Sequence, residues 1–192
     1  MIFFCQQPFA SELVLSNRDI FRYDLIWYKP LGSGFLNAGK MPMRNHEHLL
    51  AFYQELPYYN PVMGTGIRKS WRSSNHEGST NYGAFGDEMG RYYDDFGKRY
   101  PQSVIEFTNG NRQIESFHPT QKPLALLRYL VLTYSPKGSL VFDGYAGSGT
   151  TAVACVMEHH SFIGAEIDRN YYDYAVKRIC DVQAAGNLFD DF

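Results

Sequence analysis

Near the carboxyl end of the chain, a glycine-containing turn has the residue types that bind a nucleotide-like molecule. The apolar run 140–142 and Asp143 precede Gly147-Ser148-Gly149-Thr150-Thr151-Ala152, which fits a strand, a tight turn and a helix of the form G-x-G-x-x-G/A. A second predicted strand leads to Glu166, nineteen positions after Gly147, where a carboxylate can accept hydrogen bonds from ribose hydroxyls. The pattern predicts a site for an adenosine-containing cofactor. The alternative is a glycine turn with a structural role only.

The identity of that cofactor depends on the charges beside the turn. A dinucleotide needs the helix N-terminus for its pyrophosphate. S-adenosylmethionine has a zwitterionic amino-acid tail and a sulfonium, so a carboxylate such as Asp143 suits it better. A phosphate-binding loop of the nucleotide-hydrolase kind is excluded, because no Gly-Lys-Ser/Thr follows the glycines. A nicotinamide-dependent oxidoreductase shares the glycine turn and stays an alternative.

A second group of residues, between positions 57 and 103, interleaves cations with aromatic rings, as a polynucleotide-contacting surface does. Its cations and rings are Arg68, Lys69, Trp71, Arg72, Tyr82, Phe85, Arg91, Tyr92 and Tyr93. Of these, Arg68, Lys69 and Arg72 are the candidate contacts to phosphates or bases. The acids of the segment oppose this interpretation, because Asp87, Glu88, Asp94 and Asp95 would repel a phosphate. A solvated surface loop is the alternative.

The elements that must position these residues predict an α/β fold. Helices and strands alternate after residue 118, which is typical of a parallel sheet. The predicted elements there are helix 123–134, strand 139–143, helix 149–159, strand 161–167 and helix 169–183. The preceding part predicts strands at 1–5, 23–28, 48–53 and 103–107 and a helix at 8–19, with Pro30 expected to end the second strand.

Composition excludes several other classes of protein. The chain has 192 residues, of which 44% are hydrophobic, enough for the core of one compact unit. The net charge of −2 provides no overall basic field for nucleic acid or a membrane. No apolar run is long enough to span a membrane, and the three cysteines do not suggest a disulfide framework, so we expect a cytoplasmic protein. His46 and His48 lack a third ligand at metal-binding spacing, so no metal site is predicted.

Several motifs together resemble the amino-methylating DNA methyltransferases of the adenine-N6/cytosine-N4 family. They are His118-Pro119-Thr120-Gln121-Lys122-Pro123, then Asp143-Gly144-Tyr145-Ala146-Gly147-Ser148-Gly149-Thr150-Thr151, then Phe162-Ile163-Gly164-Ala165-Glu166-Ile167-Asp168 with Tyr171-Tyr172. The likeness extends to Gln7-Pro8-Phe9, Trp27, Lys29 and Lys40-Met41-Pro42. It implies a three-layer Rossmann-like fold in a circularly permuted order, with the catalytic half before the cofactor half.

The resemblance also implies a cofactor, a substrate and site residues. S-adenosylmethionine would be the methyl donor, and adenine N6, with cytosine N4 as the alternative, in double-stranded DNA would be the acceptor. The motifs at 118–123 and 143–151 would line the methionine part of the cofactor. Glu166 would hold its ribose, with Asp168 nearby.

The chain departs from the family pattern in two ways. Gly144 stands where the family usually has Pro, which a turn tolerates. More seriously, residues 1–192 contain no Pro-Pro dipeptide, so the catalytic Asp, Asn or Ser followed by Pro-Pro-Tyr is absent and no catalytic residue is assigned. By the resemblance, its strand would lie beside the cofactor strand in the middle of the sheet. We therefore expect an N-terminally truncated methyltransferase, with a second chain as one possible source of that strand. The alternative is a non-catalytic module that binds DNA or cofactor without methyl transfer.

The same resemblance divides the chain into three regions. Residues 1–56 would be part of the catalytic half, 57–103 an inserted target-recognition region, and 104–192 the half that binds S-adenosylmethionine. We expect all three regions to belong to one structural domain.

Overall fold

The computed structural model describes residues 1–72, 92–108 and 121–187. They form two compact units, one of Met1–Asn60 with Gln102–Phe192 and one of Pro61–Pro101. The helices are α1 (Phe9–Ser16), α2 (Leu124–Tyr134), α3 (Thr150–Met157) and α4 (Arg169–Asn187). The strands are β1 (Ile2–Cys5), β2 (Phe21–Ser33), β3 (Arg44–Phe52), β4 (Gly64–Thr65), β5 (Ser70–Arg72), β6 (Tyr92–Asp94), β7 (Lys98–Arg99), β8 (Val104–Glu106), β9 (Leu140–Asp143) and β10 (Ser161–Gly164).

The larger unit contains a four-stranded sheet in the order β1-β3-β2-β8. β3 is antiparallel to both of its neighbours, and β8 is parallel to β2. The sheet is therefore mixed, whereas the alternation of elements predicted parallel pairing for the second half of the chain only. β1, β3 and β8 lie at or near their predicted positions.

Strand β2 is longer than predicted, because Pro30 does not end it. Pairing with β3 is regular from Tyr23 to Tyr28, which lies opposite His46, and then shifts before Ser33 opposite Arg44. Pro30 lies within that irregularity, where a residue without an N–H breaks no ladder hydrogen bond. The expected strand end at Pro30 was wrong for this reason.

A second sheet consists of β9 and β10, which run parallel. Val141 pairs with Phe162 and Asp143 with Gly164, so both strands end at the same edge. β10 stops at Gly164, three residues before the predicted end. In the part of the chain that the structure describes, β1 and β9 are edge strands, and neither pairs with the other.

Helices α2 and α3 cover one face of both sheets, where the main core lies. Trp27, Leu49, Leu126, Ala154 and Cys155 are at its centre. Helix α1 packs on the opposite face of the four-stranded sheet, against Leu50 and Phe52. Successive side chains of β3 point to opposite faces of the sheet, so Leu49 and Leu50 pack against helices on opposite sides. The helices and the sheet between them form three layers. The α/β class is therefore confirmed.

The smaller unit contains two short antiparallel pairs, β4 with β7 and β5 with β6. The Arg68 guanidinium forms an ion pair with Asp94 next to the second pair. Asp95 accepts hydrogen bonds from the N–H groups of Lys69 and Gly97, each at 2.8 Å. Asp94 and Asp95 therefore hold the turns of this unit together.

No helix among the described residues is long and apolar enough to cross a membrane.

We predict that Leu126→Ala lowers the free energy of unfolding by about 2–5 kcal/mol, because the side chain is fully buried and its removal leaves a cavity. The matched control is Leu36→Ala, at a position that is 95% exposed, where a change within about 0.5 kcal/mol is expected. Urea denaturation followed by circular dichroism measures both. Equal effects of the two substitutions would contradict the described core.

Candidate functional site

The turn after β9 is held by the side chain of Asp143. Its Oδ1 accepts a hydrogen bond from the Tyr145 N–H at 3.0 Å, and its Oδ2 accepts one from the Thr151 hydroxyl at 2.6 Å. Gly147 and Gly149 have positive φ angles of 53° and 74°, which glycine adopts at little cost. The carboxylate therefore joins the start of the turn to the first residues of α3.

Glu166 closes the same turn from the neighbouring strand. Its Oε2 accepts the Gly147 N–H at 2.7 Å, and its Oε1 accepts the Asp168 N–H at 2.9 Å. These backbone donors, Asp168 first and Gly147 next, hold the pKa of Glu166 below its usual range. The glutamate is therefore an anion that lies at the bend, at the carboxyl ends of two parallel strands. In α/β sheets this is the edge where ligands bind.

Asp168 lies directly after this carboxylate and starts the last helix. Its Oδ1 accepts the N–H groups of Asn170 at 2.8 Å and Tyr171 at 3.1 Å. This is an N-cap arrangement, so the side chain has a structural role in addition to its nearness to Glu166.

A chain of hydrogen bonds joins the turn to the segment before α2 and to α4. The Ser148 hydroxyl donates to Gln121 Oε1 at 3.0 Å. Arg178 donates to the Ser148 carbonyl at 2.6 Å and to Thr150 Oγ1 at 3.3 Å. Arg178 was not identified from the sequence, because it lies 30 residues from Ser148 in a helix without a distinctive motif. Of the other motif residues, Pro123 immediately precedes α2, and Ala146 donates its N–H to Ala165 O at 2.9 Å. His118, Pro119 and Thr120 lie outside the described residues.

An ionic cluster around the buried Glu47 lies beside this segment. Glu47 of β3 forms ion pairs with Lys29 of β2 and with Lys122, the latter at 2.7 Å. Burial alone would raise the pKa of Glu47, but the hydrogen bonds from Lys122 and Lys29 outweigh it and lower the pKa. Both ammonium groups also lie over the ring of Trp27, at 4.5 Å for Lys29 and 5.5 Å for Lys122. Sequence reasoning missed Glu47, since it lies in the polar run 44–48, just before the apolar part of the predicted strand, and has no recognisable pattern.

A groove separates the edges of β1 and β9. Helix α2 runs along it, and the segment at its amino end contacts Phe4, near the end of β1, through Lys122 and the turn that follows β9 through Gln121 at Ser148. β1 and β9 therefore run in the same direction. The groove has a volume of about 450 Å³. Its lining is Met1, Ile2, Phe4, Leu127, Leu130, Val131, Tyr134, Ser135, Leu140, Val141, Phe142, Asp143 and Thr151.

The candidate nucleic-acid contacts lie in the smaller unit. The Arg68 guanidinium binds Asp94 and lies 5.1 Å from the Phe96 ring centre. Arg68 and then the Phe96 N–H lower the pKa of Asp94. Lys69 follows at an exposed position, and Arg72 ends β5, opposite Tyr92. Arg68 is thus already paired with a carboxylate, which sequence reasoning did not foresee.

His46 and His48 lie on one face of β3 as their spacing predicts, with ring centres 5.7 Å apart. Among the described residues, no group of three or more His, Cys, Asp or Glu side chains could hold a metal ion.

A parallel β-turn-α unit whose glycine turn is closed by a carboxylate from the next strand defines a nucleoside-binding site of an α/β protein. A family model described as DNA methylase, N6_N4_Mtase, matches residues 2–177. The chain belongs to this family. The nicotinamide-dependent alternative therefore falls away.

Named relatives agree with this assignment. The type II methyltransferase M.BglII of Bacillus subtilis is 28% identical over 171 residues, which are 88% of this chain and 44% of that protein. The DNA adenine methyltransferase YhdJ of Escherichia coli K12 is 34% identical over 84 residues, 43% of this chain and 29% of that protein. The chain spans less than half the length of either relative.

Solved structures have the same fold. The complex of M1.HpyAVI with SAM has a TM-score of 0.62 at 22% identity, covering 93% of this chain and 73% of that one. The cytosine-N4-specific PvuII DNA methyltransferase also has a TM-score of 0.62, at 14% identity, covering 91% of this chain and 60% of that one. The expected Rossmann-like methyltransferase fold is therefore confirmed.

We predict that Gly149→Ala destabilises the protein more than Gly138→Ala does. Both glycines have similar φ angles, 74° and 78°, but an added Cβ would lie 2.7 Å from Ala175 Cβ at position 149 and would meet nothing within 4 Å at position 138. The backbone strain alone costs about 1–2 kcal/mol, and the clash with α4 adds about 1–3 kcal/mol. Thermal unfolding of the two variants measures the difference. Equal losses would mean that α4 does not pack closely on the turn.

Proposed function

We propose that this chain is the cofactor-binding and target-recognition part of a DNA amino-methyltransferase. The methyl group of S-adenosylmethionine would pass to adenine N6, or with less support to cytosine N4, in double-stranded DNA. The observation that carries the proposal is the Glu166 carboxylate, 2.7 Å from the N–H of the glycine bend, within a DNA methylase family match. The name of the relative YhdJ favours adenine, whereas the PvuII enzyme is named for cytosine N4.

The residues of the turn fit S-adenosylmethionine. The Glu166 carboxylate accepts the N–H groups of Gly147, Ile167 and Asp168, and a carboxylate has about four lone-pair positions, so capacity remains for a ribose hydroxyl. The backbone at Gly147 has no side chain to prevent close approach of the cofactor. The segments 118–123 and 143–151 would surround the methionine end. When bound, the cofactor supplies an electrophilic methyl group on its sulfonium sulfur.

The base amine that accepts the methyl group needs activation by a catalytic motif that residues 1–192 do not contain. An exocyclic base amine has its lone pair delocalised into the ring, so hydrogen-bond acceptors must favour a pyramidal nitrogen. In the family an Asp, Asn or Ser side chain and a proline carbonyl do this, and the following Tyr stacks on the flipped base. The chain has no Pro-Pro-Tyr sequence. We therefore assign no catalytic residue.

The groove between β1 and β9 supports the proposal that the catalytic strand comes from outside residues 1–192. Its two edges present backbone donors and acceptors without strand partners among the described residues, and one parallel strand could pair with both. Upstream sequence or a second chain are the possible sources of that strand. The second candidate function, a module that binds without methyl transfer, is favoured by the same missing motif.

The remaining assignments complete the proposal. We propose 57–103 as the target-recognition region, with Arg68, Lys69 and Arg72 as DNA contacts. A cytoplasmic location is supported by the cysteines Cys5, Cys155 and Cys180, which are all free thiols.

The proposal predicts that the chain binds S-adenosylmethionine and that Glu166→Gln weakens this binding about tenfold, because a charged hydrogen-bond acceptor for ribose is lost. Glu55→Gln, at an exposed position, is the matched control and should bind like the wild type. Isothermal titration calorimetry measures the affinities. No heat of binding with the folded wild-type chain would overturn the proposed cofactor.

Tritium transfer from labelled cofactor to duplex DNA then separates the two candidate functions. Binding without transfer is expected for this chain alone. Transfer restored by a longer upstream form with the Pro-Pro-Tyr motif supports the methyltransferase. Continued absence of transfer with that form supports the module.

The proposal also predicts DNA binding that weakens as salt rises, since Lys and Arg contacts release counterions from phosphates. Lys69→Gln should reduce the slope of log K against log salt by about 1. Lys137→Gln, an exposed lysine between α2 and β9, is the control and should leave the slope unchanged. A fluorescence titration with a labelled duplex measures the slopes. Equal slopes for both variants would exclude Lys69 as a phosphate contact.

A further inference from the structure

The ionic cluster of the buried Glu47 with the partly buried Lys29 and Lys122 joins parts of the larger unit that no strand pairing joins among the described residues. Glu47 lies opposite Trp27 in the β3–β2 register, on the sheet face that α2 covers. Lys29 belongs to the same sheet, so its ion pair stays within that sheet. Lys122 comes from the segment before α2, so its ion pair fastens that segment to the sheet.

The Lys122 ammonium is held from several directions. Glu47 Oε2 lies 2.7 Å from its Nζ, and the ring centres of Phe4 and Trp27 lie 5.1 Å and 5.5 Å away. A cation between a carboxylate and two aromatic faces has few alternative positions of comparable energy. The Lys122 side chain therefore tethers the segment before α2 to β1, β2 and β3.

The residue next to Lys122 contacts the glycine turn. Gln121 Oε1 accepts a hydrogen bond from Ser148, which lies between Gly147 and Gly149. Neighbouring side chains thus reach opposite sides of the groove, with Lys122 on the four-stranded sheet and Gln121 on the turn after β9. A shift of Lys122 would shift Gln121 and release Ser148 from this partner.

We propose that Glu47 is a positioning residue for the cofactor turn, acting through Lys122 and the hydrogen bond from Ser148 to Gln121. Its relevance to methyl transfer rests on the proposed function, since the turn is the proposed cofactor site. Methyl transfer requires the cofactor and the base to be aligned. The Glu47 cluster supplies part of that alignment by tying the turn to the four-stranded sheet.

The two lysines provide a matched pair of variants. Lys29→Met and Lys122→Met each remove one cation and leave a neutral pair of Glu47 with the remaining lysine. Only Lys122→Met cuts the connection to Gln121. Glu47→Gln removes the carboxylate that binds Lys122 and keeps Lys122 itself. Lys122→Arg keeps the positive charge and hydrogen-bond donors at position 122.

Hydrogen exchange of the cofactor-free protein, read by mass spectrometry over residues 147–151, tests the connection directly. Faster exchange is expected in Lys122→Met and Glu47→Gln, with wild-type exchange in Lys29→Met and Lys122→Arg. If Glu47→Gln does not fold, the comparison of the two Met variants still decides. Equal exchange of the turn in those two variants would overturn the proposal, whatever their melting temperatures.

Calorimetry with S-adenosylmethionine gives a second readout. Affinity should fall about tenfold in Lys122→Met and Glu47→Gln and stay unchanged in Lys29→Met. A loss in Lys122→Met with full affinity in folded Glu47→Gln would mean that Lys122 contacts the cofactor directly, and would overturn the positioning role. The wild-type chain could bind no cofactor while the variants still show the expected exchange pattern. That result would contradict the proposed cofactor and still support the connection from Glu47 through Lys122 to the turn.

Discussion

The hydrogen bond between the Gly147 N–H and the Glu166 carboxylate is the interaction on which the site depends. It joins the ends of two parallel strands, and it places an anion beside a backbone that bends sharply after Asp143. The bend in turn requires positive φ angles at Gly147 and Gly149. Without this contact, the turn at 143–151 and the segment around Glu166 would lose a direct connection.

The larger unit consists of two sheets. In the described part of the chain no strand pairing joins them, but the same helices pack on both. Helix α2 packs on both, and the pair Gln121 and Lys122 contacts both at the edge where the proposed cofactor would lie. The groove between β1 and β9 lies along the same helix. A strand in that groove would complete one continuous sheet, so the geometry of the turn and the proposed need for a further strand are linked.

Charged side chains have structural roles in both units. Asp143 and Asp168 accept hydrogen bonds that stabilise turns. Glu47 forms ion pairs with Lys29 and Lys122, and Asp94 forms an ion pair with Arg68. Two of the acids that weakened the nucleic-acid interpretation of 57–103, Asp94 and Asp95, therefore pair with cations of their own unit. A DNA phosphate would have to compete with Asp94 for Arg68, whereas Lys69 has an exposed position.

The sequence by itself determined the α/β class, the glycine turn and the family, because these depend on local periodicity and on motifs of adjacent residues. It also indicated that Glu166 follows the next strand. Only the tertiary structure decided that β2 continues past Pro30, that Arg178 binds Ser148, and that Glu47 joins Lys29 to Lys122. Those contacts connect residues far apart in the chain, and a long-range ion pair or a strand irregularity depends on how whole elements pack, which no local pattern encodes.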